Sequence, residues 1–223
     1  MGKKKISHEQ IINAFLCCSF EKSAGSTSLQ DIADYLGIKK ASLYNHFTSK
    51  EEMYVSAVDY CRISLDSVNF ISEEERKNDK IYLLDIKTAF RKLLKRYVQI
   101  YESDPIFQVY CFVNSEKYFF AKAAKIVDGE VFKVKSGIIE LLRGFEKKGE
   151  IKLPENDILR ELAANFTLSF MQQLDTYIVK KKEIARQNPD CSVGSLFVLP
   201  TDEEALEAIV NHADFYLDLL EYN

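Results

Sequence analysis

The chain has 223 residues, of which 47% are hydrophobic and 29% charged, with 8 Gly, 4 Pro and no Trp. That excludes collagen-like, low-complexity and largely disordered classes and leaves room for a buried core in one compact unit or a small domain joined to a larger one. The net charge of −4 is unevenly spread: residues 1–50 hold seven lysines against four carboxylates (+3), and the rest holds 23 basic against 30 acidic residues (−7). A basic end on an acidic body fits a chain whose first part meets a polyanion. The five cysteines (17, 18, 61, 111, 191) repeat no spacing, so neither a disulfide framework nor a metal site is expected. No apolar run reaches the roughly 20 residues of a membrane span and no signal-peptide core follows Lys3–Lys5, so the expectation is cytoplasmic, with no membrane partner.

Helical periodicity runs through nearly the whole chain, predicting an all-α fold of about nine helices. Capping-box patterns predict helix starts at Ser7, Ser28, Ser49 and Thr201, and Gly25, Gly37 and Gly149 predict stops. Between the first two of those stops, Leu29, Ile32, Ala33 and Leu36 mark one short buried face. Tyr54 to Val68, Leu83 to Tyr101, Val127 to Phe145, Leu159 to Tyr177 and Leu206 to Leu220 carry longer stripes. Pro105 breaks the chain after Tyr101; the polar run 72–80 and the stretch Gln187–Pro200 read as loops.

Residues 28–47 have helix-turn-helix spacing: short helices over Ser28–Leu36 and Lys40–Phe47, with a turn at Gly37 and Ile38. Packing the apolar positions leaves Lys39, Lys40, Ser42, Tyr44, Asn45 and His46 outward. Lys39, Lys40 and Lys50 stand at helix N-termini, where the macrodipole disfavours a cation by a few tenths of a kcal/mol to about 1. Each alone reads equally as a solvated surface lysine; three within eleven residues favour a phosphate partner.

The string SLQDIADYLGIKKASLYNHFTSKEEM (28–53), with its Ile-Ala pair, its Gly-aliphatic turn, Leu43, Tyr44, His46 and Phe47, and the helix start at Ser49-Lys50-Glu51, resembles the DNA-binding region of the TetR family of bacterial transcriptional regulators. The resemblance covers about residues 8–60; beyond them it lies only in helix number and lengths. It implies an N-terminal three-helix DNA-binding domain (1–50) followed by a larger helical ligand-binding and dimerisation domain (51–223). It also implies site residues. Ser28 would cap its helix and touch phosphate, Gln30 would reach a base edge, and Lys40 would read guanine acceptors. Ala41 would meet a thymine methyl, Tyr44 and Asn45 would face the groove, and Ser42, His46 and Lys50 would hold phosphates. Lys39 and Ala41 depart from the family's usual Ser, Lys/Arg, Gly run, so the operator sequence does not transfer. Lys3–Lys5 read either as an arm adding nonspecific affinity or as a solubilising terminus.

For the body, the resemblance implies a small-molecule effector and a homodimer formed through helices near 157–184 and 202–221. Most of the aromatic residues there are expected to be core. A pocket drawn from Phe90, Tyr97, Tyr101, Phe107, Tyr110, Phe119, Phe166, Phe170 and Gln173 would suit a hydrophobic or aromatic molecule. The expected function is a ligand-responsive repressor on a palindromic operator, the alternative an adaptor or coactivator binding a protein through the same fold. Three histidines without catalytic spacing, no cofactor loop and a Gly144–Gly149 interval lacking the phosphate-loop lysine argue against an enzyme, and neither cofactor nor metal is expected.

Overall fold

The computed structural model describes residues 6–188 and 200–221. Lys3–Lys5, Cys191 and most of the Gln187–Pro200 connection lie outside the described residues. All regular structure within them is helical: α1 (His8–Lys22), α2 (Leu29–Leu36), a 3-10 segment (Lys40–Asn45), α3 (Lys50–Asp66), α4 (Glu73–Arg76), a second 3-10 segment (Lys77–Leu83), α5 (Ile86–Tyr101), α6 (Ile106–Glu116), α7 (Ala121–Lys148), α8 (Asn156–Gln187) and α9 (Glu203–Glu221). The expected all-α fold is therefore found.

The described chain divides into two compact units. One holds the chain up to Ser67 together with Asp104–Val127; the other holds Val68–Ser103 and the chain from Asp128 on. The unit that contains residues 1–50 thus also contains α3, α6 and the start of α7.

In the first unit, α1 starts on a complete capping box, Ser7 accepting from the Gln10 amide while the Gln10 side chain accepts from Ser7 N–H. Its buried face, Ile11, Ile12, Phe15 and Leu16, packs with the inward faces of α3 (Met53, Ala57, Cys61) and α6 (Val109, Phe112, Val113). Phe15 meets the Phe112 ring edge-on at 5.8 Å, and Phe20 meets Phe107 at 5.5 Å. The expected stop at Gly25 is not used: α1 ends at Ser23, which itself takes positive φ, while Gly25 does not.

In the second unit, α5 packs on α9 and α9 on α8, burying Phe90, Leu94, Phe166, Phe170, Leu206, Val210 and Ala213. Leu83 precedes α5 and is 80% exposed, so the stripe begins at Ile86. The 72–80 run is helical rather than loop, because Ser72 and Glu75 form a complete capping box, with Glu75 buried. The last helix is capped by Asp202, which accepts from the Ala205 amide, and Thr201 instead donates to Glu102. Gly144 is a packing glycine: a Cβ there would lie 2.1 Å from the Tyr82 ring. The Gly144–Gly149 interval is therefore the end of α7, and Gly149 takes the left-handed conformation expected of it (φ 78°).

Candidate nucleic-acid interface

The reading motif is assembled from α2, the turn at Gly37 and the 3-10 segment. Ser28 accepts from the Asp31 amide, and the Asp31 carboxylate takes both Ser28 N–H and Ser28 Oγ–H at 2.7 Å. Lys22 adds an ion pair to the same carboxylate at 2.7 Å. With Lys22 as the largest cause and Ser28 next, the Asp31 carboxyl is held well below the usual carboxylate range. A depressed folded-state pKa contributes stability that is present above the unfolded value near 3.9 and is lost as pH falls toward the folded one. Thermal melts should therefore show the stability supplied by this cap declining as pH falls below about 4. Asp31→Asn should remove that part of the acid dependence, and an unchanged acid profile would refute the role.

α2 ends on a Schellman turn. Gly37 sits at φ 66°, its N–H donates to Asp34 carbonyl at 3.1 Å, and Ile38 N–H reaches Ala33 carbonyl at 2.9 Å. The chain then turns into Lys40–Asn45, expected as an α-helix to Phe47 and found as 3-10, with Ser42 N–H on Lys39 carbonyl and His46 N–H on Leu43 carbonyl. So short a 3-10 segment aligns few peptide dipoles, so the helix-start argument at Lys39 and Lys40 weakens; what remains is their exposure. Leu43 and Phe47 are buried with Ile32 and Ala33, whereas Leu29, Leu36 and Ile38 are half-buried. Phe47 is further held by the His8 ring at 4.1 Å.

Anchoring Leu43 and Phe47 turns the rest of the segment outward. Lys39, Lys40, Ala41, Tyr44 and Asn45 are exposed, Ser42 and His46 half-buried. Lys39 and Lys40 make no ion pair among the described residues. Ser28 and Gln30 are exposed too, but both are engaged: Ser28 by Asp31, Gln30 by donating to Asp34 at 2.7 Å. Lys50 is half-buried and donates to Gly25 carbonyl at 3.2 Å, tying the start of α3 to the chain after α1. That start is capped by Ser49, which accepts from Glu52 N–H, while the Glu52 carboxylate accepts from Thr48 rather than closing a box on Ser49. The motif also brings Tyr35 to the surface, 56% exposed, a ring that the sequence reading did not single out.

The expected pocket residues do not gather at one place. Phe107 and Tyr110 are buried in the first unit, and Phe119 is 84% exposed. Phe90, Tyr97, Tyr101, Phe166 and Phe170 are buried in the second unit, with Gln173 half-buried and donating to Ser169. Phe90 and Phe166 line an apolar cavity of only about 20 Å³, room for about one water. A larger open groove of about 860 Å³ runs beside α7 past Arg76, Tyr82, Arg143 and Lys147, and none of the expected residues lines it.

Two buried polar groups went unnoticed in the sequence. Glu130 accepts from Tyr101, lies 3.5 Å from the Tyr97 hydroxyl and pairs with Lys133 at 2.6 Å. Glu102 pairs with Lys181 at 2.9 Å and accepts from Tyr177 and Thr201. Their only sequence signal is a carboxylate beside an apolar helical stripe. The thiols read as packing: burial pushes Cys17 and Cys61 up and Cys18 to about 11, leaving little thiolate at neutral pH. No helix among the described residues is long and apolar enough to cross a membrane.

Residues 18–57, which span the motif, match the family model described as bacterial regulatory proteins, tetR family. Over 95 residues the chain is 32% identical to the biofilm operon negative transcriptional regulator IcaR of Staphylococcus aureus strain Newman, covering 42% of this chain and 50% of that protein. The IcaR of Staphylococcus epidermidis is likewise 32% identical over 96 residues. The chain spans about half the length of the curated relatives it matches. Across 96% of both chains the fold is similar to that of a transcriptional regulator from Rhodococcus (TM-score 0.56, 17% identity). It is also similar, over 96% of this chain and 97% of the other, to that of a TetR transcription regulator from Haloarcula marismortui (TM-score 0.56, 16% identity).

Proposed function

We propose that the chain, whose residues 18–57 match the tetR family of bacterial regulatory proteins, is a ligand-responsive repressor. In this reading it binds a palindromic operator as a homodimer and is released by a small effector held in the second unit. The observation that carries the reading is the 3-10 segment, which buries Leu43, with Phe47 buried just beyond it, and so presents Lys40, Tyr44 and Asn45 together. Lys40 suits guanine O6 and N7, and Tyr44 and Asn45 suit neighbouring base edges. Ser42 and His46 flank them for phosphate contacts, and the basic balance of residues 1–50 favours a polyanion. Repression is the sense named for the relative IcaR.

Support for the homodimer comes from α8 and α9. Leu168 and Val179, three turns apart on one face of α8, are 59% and 58% exposed, and Phe215 on α9 is 60% exposed. Such apolar positions on long helices suit a twofold bundle. Leu159, Phe166, Phe170 and Ile178 of α8 are buried within the single chain, so they are not part of this exposed set. The effector shifts the equilibrium only if it binds the released conformation better than the bound one. Phe90 and Phe166 close around little space, so an effector held between them would have to part them. A gel shift with the DNA flanking the chain's own gene tests the reading. Retardation that weakens steeply with salt is expected, and binding that ignores salt, or a protein partner in place of DNA, favours the adaptor alternative.

A further inference from the structure

The turn between α6 and α7 combines two features that the motif does not use. Tyr118 and Phe119 are 82% and 84% exposed, among the most exposed large rings of the described chain. Around them stand Lys117, Lys122 and Lys125, whose one ion pair among the described residues is Lys122 to Asp59 at 3.6 Å. Lys117 is held over the Tyr118 ring, 5.4 Å from its centroid, and donates to Asn114 at 3.2 Å, so cation and ring are positioned together.

The same unit fixes where this turn lies. Along α1 and α6 the partners run in opposite order: Phe20 meets Phe107, Cys17 donates to Gln108 at 3.3 Å, and Phe15 meets Phe112. The C-terminal end of α6 therefore lies toward the N-terminal end of α1, where the His8 ring meets Phe47 beside the reading motif at a tilt of 37°. From α3, Tyr54 donates to Glu116 at 2.8 Å and meets the Phe120 ring at 5.2 Å. Tyr54 is one helical turn, about 6 Å, from Lys50. The turn thus packs on α3 from Tyr54 to Asp59, the helix that begins at Lys50 of the reader, and of the two carboxylates beside it Glu116 is buried against Tyr54 and Asp59 is paired with Lys122.

We propose that the α6–α7 turn is a second DNA contact that ignores sequence, in which Lys117, Lys122, Lys125 and the Tyr118 hydroxyl hold the phosphate backbone flanking the bases read by residues 40–45. This rests on the DNA-reading function proposed above. Lysines beside exposed aromatic side chains suit a sugar-phosphate backbone, with ammonium and hydroxyl groups on phosphate and an apolar ring face on the sugar. Phe119 supplies that apolar face.

The test is fluorescence anisotropy with a mixed-sequence duplex of about 40 base pairs, titrated from about 50 to 200 mM salt, for the wild type and for the triple variant Lys117→Gln, Lys122→Gln, Lys125→Gln. The triple variant should flatten the slope of log affinity against log salt by about 2–3 for each protomer engaged, since each phosphate contact contributes about 0.9. The corresponding arginine triple variant should keep the wild-type slope, which separates lost charge from altered folding. Trimming the duplex to about 16 base pairs should weaken the wild type by a larger factor than the glutamine variant, which loses only overlapping sites. An unchanged slope in the glutamine variant overturns the proposal while leaving the reader intact, and so does wild-type binding to anionic lipid vesicles accompanied by that unchanged slope. A wild type with no salt-dependent affinity for any duplex instead overturns the DNA-reading function itself.

Discussion

Lys40→Ala should weaken binding to the chain's operator by about 1–3 kcal/mol, roughly 5- to 150-fold, while leaving the thermal midpoint within a degree or two of wild type. The two halves of that expectation come from the same geometry. Lys40 is exposed and without an ion pair among the described residues, so truncation removes no packing, yet it stands at the start of the segment proposed to enter the groove. Tyr44→Ala should behave likewise, since its ring is 53% exposed. The two substitutions should differ in kind from a loss of nonspecific charge: Lys40→Ala should relax discrimination at one base position, whereas the flanking lysines should lower affinity equally on all sequences. Anisotropy titrations at one fixed salt concentration, on the operator and on one mismatched duplex, make the comparison. If both variants bind as the wild type does, the reading segment has been wrongly placed.

Leu43→Ala should do the reverse, destabilising the fold by about 2–5 kcal/mol, because it removes a fully buried leucine from a site that cannot easily collapse. Leu43 is 1% exposed and is the only buried residue of its 3-10 segment. Phe47 lies just beyond the segment, with its own support from His8. A six-residue 3-10 turn has little stability of its own, so once Leu43 is gone the segment has one anchor fewer and Lys40 and Tyr44 lose their common orientation. Denaturant unfolding followed by circular dichroism should show the lowered midpoint. DNA affinity should fall even at temperatures where the variant remains folded. A variant that melts early yet reads its operator normally would show that presentation does not depend on this anchor.

What could be read in advance follows from how local the cause is. Gly37 ends α2 as expected because a left-handed residue is needed there whatever surrounds it, and the Ser7 and Ser28 boxes close within four residues. The outward set 39–46 was legible because the apolar spacing alone decides which residues remain outside. Readings failed where distant groups decide. Thr201 looked like a helix cap, but its hydroxyl is taken by Glu102, 99 residues earlier in the chain. Residues 72–80 looked polar enough for a loop, yet Glu75 is buried in a capping box and pairs with Arg96 at 3.4 Å. Tyr97 and Tyr101 looked like apolar pocket walls, and their hydroxyls instead turn to Glu130, a carboxylate that only the folded chain brings to them. Phe119 shows the opposite failure: a ring expected to line the pocket lies in a turn and is exposed.

Residues 28–50 are proposed to read DNA through the exposed face of the 40–45 segment. Selection of bound duplexes from a randomised library, with sequencing of the pool retained by the wild type and by Lys40→Ala, tests it most directly. The wild type should enrich two inverted half-sites with centres about 10 base pairs, or 34–36 Å, apart, and Lys40→Ala should lose preference at a single guanine-containing position in each. A wild-type pool with no enriched sequence, or one that Lys40→Ala reproduces unchanged, would contradict it.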